Sequence, residues 1–320
     1  MIDDIQPWLE MLRSPDVNDR LVAVKTLQHL GDEETIDALI LALQDENTSV
    51  QKIAISALWE IADPLAIPAL IECLNSLDAD IRHEATSALN ELVTQDDLLL
   101  LLDKLQINDI NTQLNILVLL RKIHDIQSLP YILPFLESEN YELREAAITT
   151  LRYINQLEQC PQTLQLIFDS EAIVRRAAAL TLGYLQDTEV ITMLSQALTN
   201  DTDWQVRRNA AKSLAIHEDN QAIFALEIAL GDEYWQVRKA AAQALQKILS
   251  MRVMPKLIQA LADEYADVRK EAVIALGNLA HSDVINPLQQ ALDDPDREVA
   301  IQAQRAMNKL QTAKTQSNAE

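Results

Sequence analysis

The residues placed to do chemistry in this chain are few, and most of them recognise rather than react. Arg176, Arg208, Lys239 and Lys270 recur at near-constant spacing, each directly after another cation. Cations in the first turn of a helix oppose its macrodipole and cost about 0.3 kcal/mol or more each, so they need acidic turns or a ligand to offset them. Asp203, Glu233 and Glu264 could supply the acid; an acidic partner protein could equally supply it. Beside these cations stand Trp204, Tyr234, Trp235 and Tyr265, clustered in a chain that is only 4% aromatic. Aromatic rings in polar turns either fill the gap between neighbouring helical hairpins or anchor a protein interface. Donor atoms for metal or thiol chemistry are sparse. His83 and Glu84 are adjacent but fall short of the ligand number a metal needs, and the other His-Glu pair, His217-Glu218, lies at an expected helix end. Cys160 precedes Pro161 at the expected start of a helix, where free N–H groups would lower a thiol's pKa; Cys73 reads as a small buried residue. No Ser-His-Asp set, Gly-rich phosphate loop or dinucleotide fingerprint is present, so no catalytic residue is assigned.

What positions these residues is a repeat. Asp201 to Leu214 is nearly restated by Asp232 to Leu245: an acidic turn with an aromatic, then Val-Arg, then an apolar stripe of helical period. The Arg slot falls at Arg20, Gln51, Arg82, Asn111, Arg144, Arg175, Arg207, Arg238, Arg269 and Ala300, with a period of about 31 residues that drops to 29 before Arg144's repeat and rises to 33 at it. A second apolar run, such as Ile67 to Leu74 or Met254 to Leu261, lies between successive slots, which makes each unit a helical hairpin. The class is all-α, a right-handed α-solenoid of about ten hairpins. It is read as one domain over 1–310, with arcs over 1–125 and 126–310, and a polar, disordered tail over 311–320. Gln95 to Asp125, with Asn111 in the Arg slot, is expected to be an irregular repeat and a flexible joint.

Composition narrows the partners. The 26 Lys plus Arg against 49 Asp plus Glu give a formal charge of −23, which repels phosphate backbones and anionic lipid. Nucleic acid and membrane are therefore poor partners. The longest purely apolar run, Leu98 to Leu102, is too short to span a bilayer, and Met1 to Ile5 lacks a signal-peptide pattern. Two cysteines cannot form a disulfide framework, which fits a reducing compartment and a cytoplasmic protein.

At Val-Arg-Arg-Asn-Ala-Ala-Lys-Ser-Leu, Val-Arg-Lys-Ala-Ala-Ala-Gln-Ala-Leu and Val-Arg-Lys-Glu-Ala-Val-Ile-Ala-Leu-Gly the chain resembles HEAT repeats of the phycobilisome-lyase type, a cyanobacterial family, over nearly its whole length. The resemblance implies that Arg175, Arg207, Arg238 and Arg269 stack with the turn aspartates as an electrostatic ladder, which is architecture rather than a site. It also implies a non-catalytic scaffold or adaptor in a heteromeric complex, with an iron–sulfur assembly protein of the IscA type as the most concrete partner. The alternative it carries is a bilin lyase or isomerase subunit acting on phycobiliproteins. The cofactor would then be a bilin, its propionates held by Arg176, Arg208, Lys239 and Lys270 and its rings by Trp204 and Trp235. Arg82-His83-Glu84-Ala85 is similar to the His-Glu iron motifs of deoxyhypusine hydroxylase, but the second, matching pair is absent.

Overall fold

The computed structural model describes the backbone of residues 2–31 and 33–317, and among them every regular element is an α-helix or a 3-10 helix. Most second helices begin at a short polar side chain, whereas Glu171, Tyr234 and Tyr265 hold that position without a side-chain cap. Asp16, Asn47, Asp78, Asp109, Asn140 and Asp203 each accept a hydrogen bond from an amide in the first turn of the helix that follows. Such a cap satisfies a donor the helix cannot, and is worth about 1 kcal/mol. First helices are short and often open through a 3-10 turn. Pro68, Pro130 and Pro255 sit in their first turns, where a missing N–H leaves nothing unpaired.

The core follows from the repeated Ala and Leu. Ala54, Ala85, Ala147, Ala178, Ala210, Ala241 and Ala272 are fully buried, as are Leu89, Leu182, Leu214, Leu245 and Leu276. Small residues on one helix let the next approach closely, and leucines fill the space left along it. At Gly183 the approach is closest: a Cβ there would lie 2.6 Å from the Ser213 hydroxyl.

Repeat four is regular, contrary to expectation. Its second helix, Ile110–Ile123, is capped by Asp109, and the buried Thr112, Gln113, Ile116, Leu117 and Leu120 occupy the positions that Val50, Gln51, Ala54, Ile55 and Leu58 occupy two repeats earlier. The Arg slot is therefore Gln113, not Asn111. The steps from Arg82 to Gln113 and from Gln113 to Arg144 are both 31 residues, so the period does not slip. Ile116, standing where other repeats have Ala, is what disguises the register.

The chain divides into two compact units, Met1–Gln156 and Leu157–Glu320. Non-helical backbone runs over 152–160, with Gln156 held at φ 64°. The last helix is Arg297–Ser317, which continues through most of the segment expected to be an unstructured tail; 318–320 lie outside the described residues. No described helix is long and apolar enough to cross a membrane.

Candidate functional site: the turn edge of repeats six to nine

The ladder is present and each rung has the same construction. Arg207 donates through Nη1 to the carbonyls of its own turn, Asp201 at 2.8 Å and Thr202 at 3.4 Å. Through Nε and Nη2 it grips the carboxylate of Asp232, in the next turn, at 2.7 and 3.1 Å. Arg175 binds Asp201, Arg238 binds Asp263 and Arg269 binds Asp294 in the same bidentate way. A guanidinium fork on a carboxylate is the strong form of ion pair, and the hydrogen bond from Arg207 to Asp232 holds its pKa above the ordinary value. In the other unit Arg20 binds Asp45, but Gln51 reaches only its own turn, the Asp45 carbonyl at 2.7 Å, and Ser76 stands where the acid would be. These arginines are tie-bars between turns.

The aromatic residues pack along the ladder. Trp204 opens the Trp204–His217 helix and stacks on Tyr234 of the next turn, ring centroids 5.6 Å apart and planes 13° from parallel. Trp235 repeats the arrangement on Tyr265 at 5.2 Å and 16°. Each ring also faces a cation: Arg208 over Trp204 at 5.2 Å, Arg207 over Tyr234 at 5.6 Å, Lys239 over Trp235 at 5.9 Å and Arg238 over Tyr265 at 5.9 Å. Tyr234 and Tyr265 remain 40% exposed. They occupy the capping positions of the Trp235–Ala244 and Ala266–Leu279 helices and make no side-chain cap, so the edge gives up a stabilising bond of about 1 kcal/mol at each.

The expected basic ridge is brought together but is largely neutralised. Arg176 makes a two-point pair with Asp203, and that hydrogen bond holds the Asp203 carboxyl below its usual range. Lys239 and Lys270 both bind Asp267, at 2.9 and 3.2 Å. Of the acids expected to offset the ridge, only Asp203 does so. Glu233 reaches Arg207 instead, at 3.5 Å, and Glu264 forms no ion pair among the described residues. Arg208 differs from its neighbours: its Nε and Nη2 meet the Asn209 side-chain oxygen at 3.3 and 3.1 Å and no carboxylate. Asp267, Asn209 and Lys212 were not singled out in the sequence. Only the stacking of repeats shows which of them face a neighbouring cation.

The family is settled by the repeats themselves: the model for HEAT repeats matches residues 5–90, 160–246 and 254–318. The chain belongs to the HEAT-repeat family. No curated protein matches it. Among solved structures this HEAT-repeat chain is similar to an engineered protein, with 22% identity, 96% of this chain and 99% of that one covered, and a TM-score of 0.56. It is also similar to Kap95p from a structure of Kap95p binding to RanGDP, with 14% identity, 96% and 49% covered, TM-score 0.64. Importin beta follows at 15% identity, 95% and 50% covered, TM-score 0.62. The chain thus spans about half the length of these two transport proteins, and at such identities the likeness is one of fold.

The remaining sequence candidates stand apart from the edge. His83 and Glu84 are exposed on the Ala79–Leu92 helix, and among the described residues no three His, Cys, Asp or Glu side chains gather to hold a metal. Cys160 corrects the expectation of a reactive thiolate. It is 2% exposed, its amide donates to Asp187 at 2.9 Å, and burial pushes its thiol up to about 11. The amides of Thr163 and Gln162, in the 3-10 helix Pro161–Phe168 that follows, pull the thiol the other way, but burial outweighs them. Cys73 is buried as expected, its thiol likewise pushed up to about 11 by burial.

Proposed function

We propose that this HEAT-repeat protein is a non-catalytic scaffold that binds a partner protein along the turn edge of repeats six to nine. The observation that carries the reading is the pair of Trp–Tyr stacks on successive turns, with half-exposed tyrosines at two of the three second-helix starts that lack a side-chain cap. Rigid aromatic rings beside cations are the residues that dominate protein interfaces. The likeness to Kap95p, itself seen binding RanGDP, supports a fold that takes proteins as ligands. An acidic partner fits the cations of the edge, and the resemblance to phycobilisome-lyase-type repeats makes an iron–sulfur assembly protein of the IscA type the first candidate to test.

The test is affinity against that candidate by surface plasmon resonance, with Trp204→Ala and Trp235→Ala beside the intact chain. Each variant should lose about 2 kcal/mol, roughly 30-fold in Kd, and mainly through faster dissociation. A double Trp variant with native circular dichroism and unchanged affinity would overturn the assignment of the surface. Uptake of a bilin by the purified chain, seen as visible absorbance that Arg208→Gln abolishes, would favour the bilin lyase reading instead.

A further inference from the structure

Along this edge the cation that follows each ladder arginine finds its acid near the start of a second helix. Arg176 pairs with Asp203, the capping residue of the next helix, and Lys239 pairs with Asp267, the second residue of the next helix. Arg208 has the same two places before it, at the start of the Trp235–Ala244 helix, and they hold Tyr234 and Gln236. Neither is charged. The Gln236 side-chain oxygen is buried and, among the described residues, has no hydrogen-bond partner. One turn along from Arg208, Lys212 is exposed and makes no ion pair or side-chain hydrogen bond among the described residues. Partial desolvation, then the charges of Arg208 and Lys239, push its ammonium below the ordinary lysine value. Two neighbouring cations are thus left without a counter-charge, and for Arg208 it is one that the repeat supplies on either side.

We infer that Arg208 and Lys212 are the docking site for two carboxylates on an extended acidic segment of the partner, an inference that rests on the partner-binding reading above. Residues four apart on a helix have Cβ atoms about 5–6 Å apart. Alternate residues of an extended segment project to one side about 6.5–7 Å apart, so an acid-x-acid pattern matches the two cations one to one. A single phosphate would require both cations to converge on one point. The Arg208 fork is instead turned onto Asn209 and laid over Trp204, which holds it in line with the helix rather than toward Lys212. The chain carries a net charge of −23, so an acidic segment meets general repulsion and a local pair of cations such as this one would orient it.

The experiment is fluorescence anisotropy of the full chain with a labelled Glu-Val-Glu-Val-Glu peptide, its Gln counterpart, and a phosphoserine peptide of otherwise neutral sequence. The perturbations are the double variant Arg208→Gln with Lys212→Gln, and Gln236→Asp, which installs the missing acid where Asp267 already stands one repeat on. The Glu peptide should bind, weaken with salt, and lose at least about tenfold in affinity in both variants, while the Gln peptide does not bind. Native melting of Gln236→Asp shows that the loss is not unfolding. Failure of the Glu peptide to bind, equal binding of the Gln peptide, variants within about twofold of the intact chain, or tighter binding of the phosphoserine peptide would each overturn the inference. If the Trp variants lose the partner protein while these variants keep it, the scaffold reading stands and this site does not.

Discussion

Removing one rung of the ladder measures how the repeats are joined. Arg207 is 8% exposed, the side chain of Asp232 is 9% exposed, and the pair is bidentate at 2.7 and 3.1 Å. Exposed ion pairs contribute about 0.2–1 kcal/mol, whereas breaking a buried one costs about 3–5 kcal/mol because the partner is left desolvated. This rung lies nearer the second case. Arg207→Ala would leave Asp232 with the Tyr234 amide at 2.8 Å and would also lose the two carbonyl bonds to the preceding turn. Asp232→Ala would leave the guanidinium on those carbonyls and on Glu233. Each single change should cost about 3 kcal/mol and the double change about 4 kcal/mol, so the coupling in the cycle should be about 2 kcal/mol. Urea unfolding followed by circular dichroism reads the total. Because repeat arrays lose structure locally, amide exchange in the Trp204–His217 and Trp235–Ala244 helices shows whether the loss is centred on this rung. Single losses below about 1 kcal/mol with no coupling would mean that the ladder behaves as solvated pairs and that the apolar stripes alone hold the repeats together.

Acid should act through the same pairs. The Asp203, Asp267 and Asp294 carboxyls are held below their ordinary value, first by hydrogen bonds from Arg176, Lys239 and Arg269, so their stabilisation is complete above the unfolded value and is lost as pH falls through the folded one. Melting temperature should therefore be level from about pH 7 to 5 and fall below about pH 4; an even decline across the upper range would contradict this. Iodoacetamide at about pH 8 should leave Cys73 and Cys160 unmodified in the native chain and label both in urea, as mass spectrometry would show, since burial raises both thiols. Amide exchange over 95–125 should be as slow as in the flanking repeats and fastest over 152–160, the reverse of what the sequence spacing implies.

The hairpins and the Arg slot were legible because each is written locally and repeated, whereas the stacking of those arginines into a ladder was implied by the resemblance to HEAT repeats. A capping Asp or Asn, an Arg four residues on and an Ala three beyond that can be read without knowing any neighbour. Repeat four defeated this reading at one residue: with Ile116 in place of Ala, the pattern slid to Asn111, and only the cap at Asp109 and the burial of Gln113 restore the register. The charge state of the edge was not legible at all. Arg176, Lys239 and Lys270 look alike in sequence to Arg208, and what separates them is which residue the stacking sets opposite each. Cys160 misled for a similar reason. Cys-Pro does open a helix, but a 3-10 helix whose entrance is closed by Asp187, from a segment 27 residues away.

Three departures from the repeat rule coincide on the Trp235–Ala244 helix and its neighbours: a capping residue replaced by Tyr, a counter-ion position filled by Gln, and a cation left on an amide oxygen. Gap filling would explain rings that are buried. It does not explain Tyr234 and Tyr265, which keep 40% of their surface in solvent while displacing caps that seven other second helices retain. Nor does it explain why, of the four cations that directly follow a ladder arginine in repeats six to nine, it is Arg208, beside the stacked Trp204, that meets no carboxylate. A fold built from one rule repeated loses stability wherever the rule is broken, and such losses gather where another requirement is met. Here they gather on one face, and what they leave exposed is a pair of tyrosines on rigid stacks beside two cations without acids. That is the surface chemistry of a protein interface whose other half is acidic.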